Sequence, residues 1–109
     1  MKVIIYGVKD TIANDFPFTF ESPNEGMMKR IVKGALLSKE QNVINTDIKD
    51  KDIFEVGERE TTTGVIIGLA APLFIEHVSN IRLDLIREIK IAKAEAGEKE
   101  PTAEEVKDE

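Results

Sequence analysis

The stretch Ile53-Phe-Glu-Val-Gly-Glu-Arg-Glu-Thr-Thr-Thr-Gly-Val-Ile-Ile-Gly68 limits what this chain can fold into more than any other. It reads as two strands joined by a tight polar connection. Phe54 and Val56 alternate with Glu55 and Gly57, the period of a half-buried strand. Val65, Ile67 and Leu69 then line one face of a second run, with Ile66 and Gly68 on the other. Between the runs, Glu60–Gly64 is turn chemistry. Gly64 can take a positive φ, and the Thr hydroxyls can bond nearby backbone. A β-hairpin is therefore expected.

Lys2–Val8 is a run of Val, Ile and Tyr with apolar residues on both faces, as in a central strand of a small sheet. Gly7 marks a bulge or a close approach. In Thr11–Pro23, Phe16, Phe18 and Phe20 alternate with Pro17 and Thr19, which puts the three rings on one face. Pro17 cannot donate a ladder hydrogen bond, so this strand belongs at an edge. The ordinary reading packs two of these rings onto the core. The alternative leaves a ring exposed as a stacking platform for single-stranded bases.

Ser22-Pro23-Asn24-Glu25-Gly26 opens a helix running to about Ser38, with Ser22 as cap and Glu25 completing a capping box; Asn24 is the competing cap. Met28, Ile31, Val32, Ala35 and Leu36 form its apolar stripe. Lys39–Asp52 is a polar loop leaning on Val43, Ile44 and Ile48. After the hairpin, Ala70-Ala71-Pro72 breaks the strand pattern, and Leu73–Val78 is a short extended or turn segment. Ser79 or Asn80 caps a second helix, with Ile81, Leu85, Ile89 and Ala92 as its stripe and Ile86 and Ile91 off it. Gly97 ends that helix, with Pro101 just beyond.

These elements give an α+β fold class: a small, mostly antiparallel sheet of strand, helix and hairpin, with a C-terminal helix and both helices on one face. The 109 residues make one modest core, expected as a single domain over 1–97 with a disordered acidic tail over 98–109. The tail carries −4 of the formal −6, so residues 1–97 hold only −2. There is no cysteine, which excludes disulfides, thiolate catalysis and zinc–thiolate sites. The N-terminus lacks a signal-peptide pattern, and Val65–Ile75 is too short and too interrupted to span a bilayer. An intracellular protein is expected.

Few residues could carry chemistry. His77 is the only histidine and has no partner suggested by motif; it reads as a surface residue beside Glu76. No nucleophile elbow, P-loop, HExxH or dinucleotide fingerprint is present, so an enzyme is not expected. Asp47-x-x-Asp50-x-Asp52 departs from an EF-hand loop in spacing and lacks its Gly and closing Glu, so a loop with Asx-turns is the better reading. No metal or cofactor is expected. Lys29, Arg30 and Lys33, with Lys39 nearby, concentrate positive charge on the first helix. They form either a solvated surface or a phosphate-contacting face. Four phosphate contacts would give a log–log salt slope of roughly −2.8 on single strands.

Several of these residues, in their order and spacing, carry a resemblance. They are Tyr6-Gly-Val, Phe20-Glu-Ser-Pro-Asn-Glu-Gly26 with Arg30 after it, Asp50-Lys-Asp-Ile-Phe-Glu-Val-Gly-Glu58, Thr63-Gly64, and Pro72. Together they resemble the small non-structural protein of gokushovirus-type microviruses, tailless phages with single-stranded DNA genomes. The resemblance covers residues 1 to about 78; the residues beyond Asn80 look like an extension. The chain departs from the family pattern at Arg59-Glu60, where an aromatic and an acid are common. It departs again at Lys39–Asn42, where an Asn-Pro element is usual.

The resemblance implies a non-structural role in viral DNA replication in the host cytoplasm, at the switch to single-stranded genome synthesis and packaging. The partners it implies are single-stranded DNA and a phage or host replication or assembly protein. If DNA is bound, Lys29, Arg30 and Lys33 are expected on phosphates and Phe18 or Phe20 against bases. A homodimer through an open sheet edge, or through Ile86 and Ile91, is also expected. The competing reading is a protein-interaction module that never touches DNA.

Overall fold

A computed structural model describes residues 1–97. The acidic tail expected over 98–109 lies outside the described residues. The element order is β1 (Lys2–Asp10), β2 (Asp15–Ser22), α1 (Glu25–Leu37), a single 3-10 turn (Ile48–Asp50), β3 (Lys51–Glu60), β4 (Ile66–His77) and α2 (Val78–Glu95). The strands form one sheet in the order β2-β1-β3-β4, and every pairing is antiparallel. The fold is the expected α+β arrangement.

Alternation along β1 decides which face is covered. Tyr6 and Val8 are buried and join Met28, Val32, Ile44, Ile53, Val78 and Ile81 in one core cluster. Both helices therefore lie on the same face. Ile4, Phe20 and Ile75 pack partly against this core. The residues between them on β1 (Val3, Ile5, Gly7, Lys9) point to the opposite, open face.

The hairpin is as expected. Gly64 sits at φ +77° and donates its N–H to the Glu60 carbonyl at 2.8 Å, while Glu60 donates to Val65 at 2.9 Å. The strand after it is longer than its sequence pattern. β4 continues through Pro72 to His77, because Leu69–Pro72 bulge outward opposite the single residue Val56 and pairing then resumes at Leu73. An edge strand tolerates both the missing proline N–H and the bulge.

The caps differ from expectation. Ser22 belongs to β2, buried, and its hydroxyl donates to the Asn24 carbonyl at 2.9 Å. Asn24 is the cap of α1, its side-chain oxygen accepting from the Met27 N–H at 2.9 Å. α2 starts at Val78, before the expected Ser79 or Asn80. The Glu76 carboxylate accepts from the His77 N–H and from the Asn80 side chain, each at 2.9 Å.

The polar loop 38–47 is built on two asparagines. Asn42 donates to the Ala35 carbonyl at the end of α1 and accepts from the Ile44 and Asn45 N–H groups. This lets Ile44 enter the core. The buried Lys51 amine is satisfied by the Thr46 carbonyl at 2.7 Å.

Candidate functional site

One row of side chains crosses the open face at a single level, drawing on all the strands. Phe54 of β3 is paired with Gly7 of β1 on one side and with Phe74 of β4 on the other. Phe16 of β2 completes the row by leaning across β1. Its ring centroid lies 5.5 Å from that of Phe54, edge to face, and Phe54 meets Phe74 at 5.6 Å in the same way. Gly7 makes this possible, because a Cβ there would fall 2.8 Å from the Phe16 ring.

The next row holds charge. Lys9, Asp52 and His77 are neighbours on β1, β3 and β4. The Lys9 ammonium lies 5.4 Å from the Phe54 centroid and 5.9 Å from that of Phe16, a cation over two ring faces. His77 Nδ1 and Asp52 Oδ1 are 2.7 Å apart, and the imidazole tilts against Phe74 at 4.9 Å. At the far end of the face, Arg59 is held by Glu21 in a two-pronged ion pair at 2.6 and 2.8 Å. That pair lowers the Glu21 carboxyl below its ordinary range and raises the Arg59 guanidinium.

The face therefore offers three aromatic rings, one cation lying over two of them, and little else that is charged and unpaired. Half-exposed rings on an antiparallel sheet are a surface on which flat, apolar-faced groups can stack. Among the described residues no hydroxyl nucleophile is hydrogen-bonded to the His77–Asp52 pair. Asp47, Asp50 and Asp52 do not converge, and among the described residues no group of three or more potential metal ligands gathers.

The expectation that Phe16, Phe18 and Phe20 share a face is corrected by the structure. A register shift between Val8 and Asp10 on the β1–β2 ladder separates them. Phe18 and Phe20 pair with Val8 and Tyr6 on the helix side, where Phe20 stacks on Tyr6 at 5.8 Å and Phe18 on Phe20 at 6.0 Å. Phe16 alone reaches the open face.

The three helix cations are not gathered with these rings. The Lys33 ammonium pairs with Glu88 of α2, and the Lys29 charge lowers the Glu76 carboxyl, after the Asn80 and His77 hydrogen bonds. Lys33 thus faces the α1–α2 seam, and Lys29 is 3.5 Å from Glu25 on its own helix. Arg30 is exposed beside Met27. Phe18 and Phe20 lie on β2, on the side of the sheet that α1 covers, with Phe20 packed against the core that holds Met28 and Val32.

Sequence reasoning missed Phe54, Phe74 and Lys9 as site residues. The signal was the glycine in the middle of β1: a missing side chain in a central strand makes room for a ring from a neighbour. Phe74 was hidden because Pro72 reads as the end of a strand.

A model of the phage ORF5 protein family matches residues 3–81, most of the chain. The chain belongs to that family. The match spans every strand, α1 and the start of α2, so the open face lies wholly inside the family's own region. No curated protein and no solved structure matches this phage ORF5 family member. No helix among its described residues is long and apolar enough to cross a membrane.

Proposed function

We propose that this phage ORF5 family protein is a non-enzymatic accessory factor in viral DNA replication that binds single-stranded DNA on the open face of its sheet. The Phe16–Phe54–Phe74 row supports this reading. Three ring systems spaced across neighbouring strands suit splayed, unpaired bases, whereas a duplex hides the faces of its bases in the stack. The replication setting comes from the resemblance to the small non-structural proteins of gokushovirus-type microviruses, where the role lies at the switch to single-stranded genome synthesis and packaging.

Stacking carries most of the affinity in this reading. The register places Lys9 and the Glu21-paired Arg59 on the open face as its cations among the described residues. One or two phosphate contacts give a log–log salt slope of about −0.7 to −1.4 on single strands, against roughly −2.8 for a helix-based site of four cations. Each base–ring stack is worth about 1–3 kcal/mol, so Phe54→Ala is expected to weaken binding by roughly 5- to 150-fold.

Fluorescence anisotropy with labelled single- and double-stranded oligonucleotides across a salt series tests this. Saturable single-strand binding, lost in Phe54→Ala and kept in Lys29→Ala/Arg30→Ala/Lys33→Ala, is the expected result. Loss in the helix variant with a slope near −2.8 would move the site to α1. No binding by the full chain at low salt would refute the DNA reading. It would leave the second one, a module that docks on a replication or assembly protein, which the uncharged, exposed run of β4 favours.

A further inference from the structure

β4 is an edge strand that carries Pro72 and a bulge but no charge along its apolar run. Among the described residues its neighbour in the sheet is β3 alone. From Val65 to Ile75 it carries no charged residue. Val65, Ile66, Ile67, Leu69, Leu73 and Phe74 are between 40% and 62% exposed. The other edge, β2, differs in its charges: Asp15 and Glu21 flank its proline and discourage pairing. An exposed apolar run of this kind marks an interface.

We propose that β4 packs against β4 of a second copy of this chain, giving a two-fold symmetric dimer. Two observations favour a second copy as the occupant. A two-fold interface must be complementary to itself, and an apolar run without charge can meet its own image without repulsion even though the whole chain carries −6. The geometry also fits: the exposed side chains lie on both faces of the strand, Ile67 and Leu73 on one and Phe74 on the other, so a partner edge that continues the sheet meets apolar side chains above and below it. Backbone pairing is available in the segments flanking the Leu69–Pro72 bulge, and the bulge itself pushes apolar atoms outward. Joining the edges would set the Phe74 ends of two open faces side by side.

The test uses the double variant Ile67→Lys/Leu73→Lys. Ile67 lies opposite Glu58, which a lysine there would share with Lys2 at 3.1 Å, and Leu73 opposite Glu55 across the β3 ladder, so each lysine has a carboxylate beside it within its own chain. The monomer should therefore fold, while an apolar dimer contact would have to bury ammonium groups. Sedimentation velocity on the full wild-type chain should give twice the 12.2 kDa chain mass, and the double variant should give the chain mass with an unchanged far-UV circular dichroism spectrum. A second variant, Ile86→Lys/Ile91→Lys on α2, should remain dimeric. A monomeric wild type at all soluble concentrations would overturn the proposal. So would a double variant that still dimerises, or a dimer broken by the α2 variant instead. The proposal does not rest on DNA binding. Phe54→Ala separates the two, because it should lose single-strand affinity while keeping the dimer mass.

Discussion

Replacing Gly57 by alanine probes the most tightly drawn contact in the sheet. Gly57 is buried on β3 and directly opposite Gly68 on β4. A Cβ at this position would lie 2.6 Å from the Ile67 carbonyl oxygen and 3.1 Å from the Gly68 Cα. Both are backbone atoms of the paired strand, so no side-chain rotation relieves the clash. The β3–β4 ladder must open by several tenths of an ångström just before the turn at Gly64. Overpacking of this kind costs about 1–3 kcal/mol. In a domain of this size, each kcal/mol lowers the melting temperature by about 4–8 °C, so a 2 kcal/mol cost corresponds to roughly 8–16 °C. Gly68→Ala is the matched control. Its Cβ would meet nothing nearer than 4.0 Å, so it should melt close to wild type. Thermal unfolding monitored by circular dichroism, with urea titration for the free energy, reads both variants. If Gly57→Ala melts with wild type, or loses no more than Gly68→Ala, the close strand approach is refuted.

Two further outcomes concern the caps and the carboxylates. Asn24→Ala removes the side-chain acceptor for the Met27 N–H and should cost about 1 kcal/mol, read from the urea midpoint; no loss would show that Asn24 is not the cap. Acid should weaken the fold. The Met1 ammonium and the Thr62 N–H hold Glu60 from its ordinary 4.5 down to about 2, and Asp10, Glu21 and Glu76 are lowered as well. A carboxyl lowered in the folded state adds stability above its unfolded value, and that share is lost as pH falls toward the folded value. The urea midpoint should therefore drop between about pH 4.5 and pH 2, and acetylating the Met1 amine should raise the Glu60 titration seen by carbon NMR. A flat midpoint over that range would contradict these pairings.

Local chemistry was legible where a short stretch settles its own conformation. The turn at Gly64, the end of α2 at Gly97 (φ +74°) and the burial of Met28 and Val32 on α1 depend on neighbours a few residues away and were found where the sequence placed them, whereas Ile31, expected in the same stripe, sits at its rim and is 41% exposed. The capping of α1 was only half legible. Ser22 and Asn24 both carry the right chemistry, and the choice fell to Asn24 because β1–β2 pairing draws Ser22 into the strand beside Ile4. The candidate site was less legible still. Lys29, Arg30 and Lys33 look like one basic face along the helix, yet Lys33 is taken by Glu88, 55 residues away in sequence.

By itself, the sequence determined the strand, helix and hairpin content, the α+β class, and a core fed by one stripe of each helix. Those come from periods of 2 and 3.6 and from turn residues, which act locally. Only the tertiary structure decided which face each phenylalanine occupies. Strand alternation assigns faces until a bulge or register shift adds a residue, and from there every side chain changes sides. The shift between Val8 and Asp10 sends Phe16 away from Phe18 and Phe20, and the bulge at Leu69–Pro72 brings Phe74 back into line with Phe54. Such irregularities are set by the partner strand, so the aromatic row exists only once the four strands have paired.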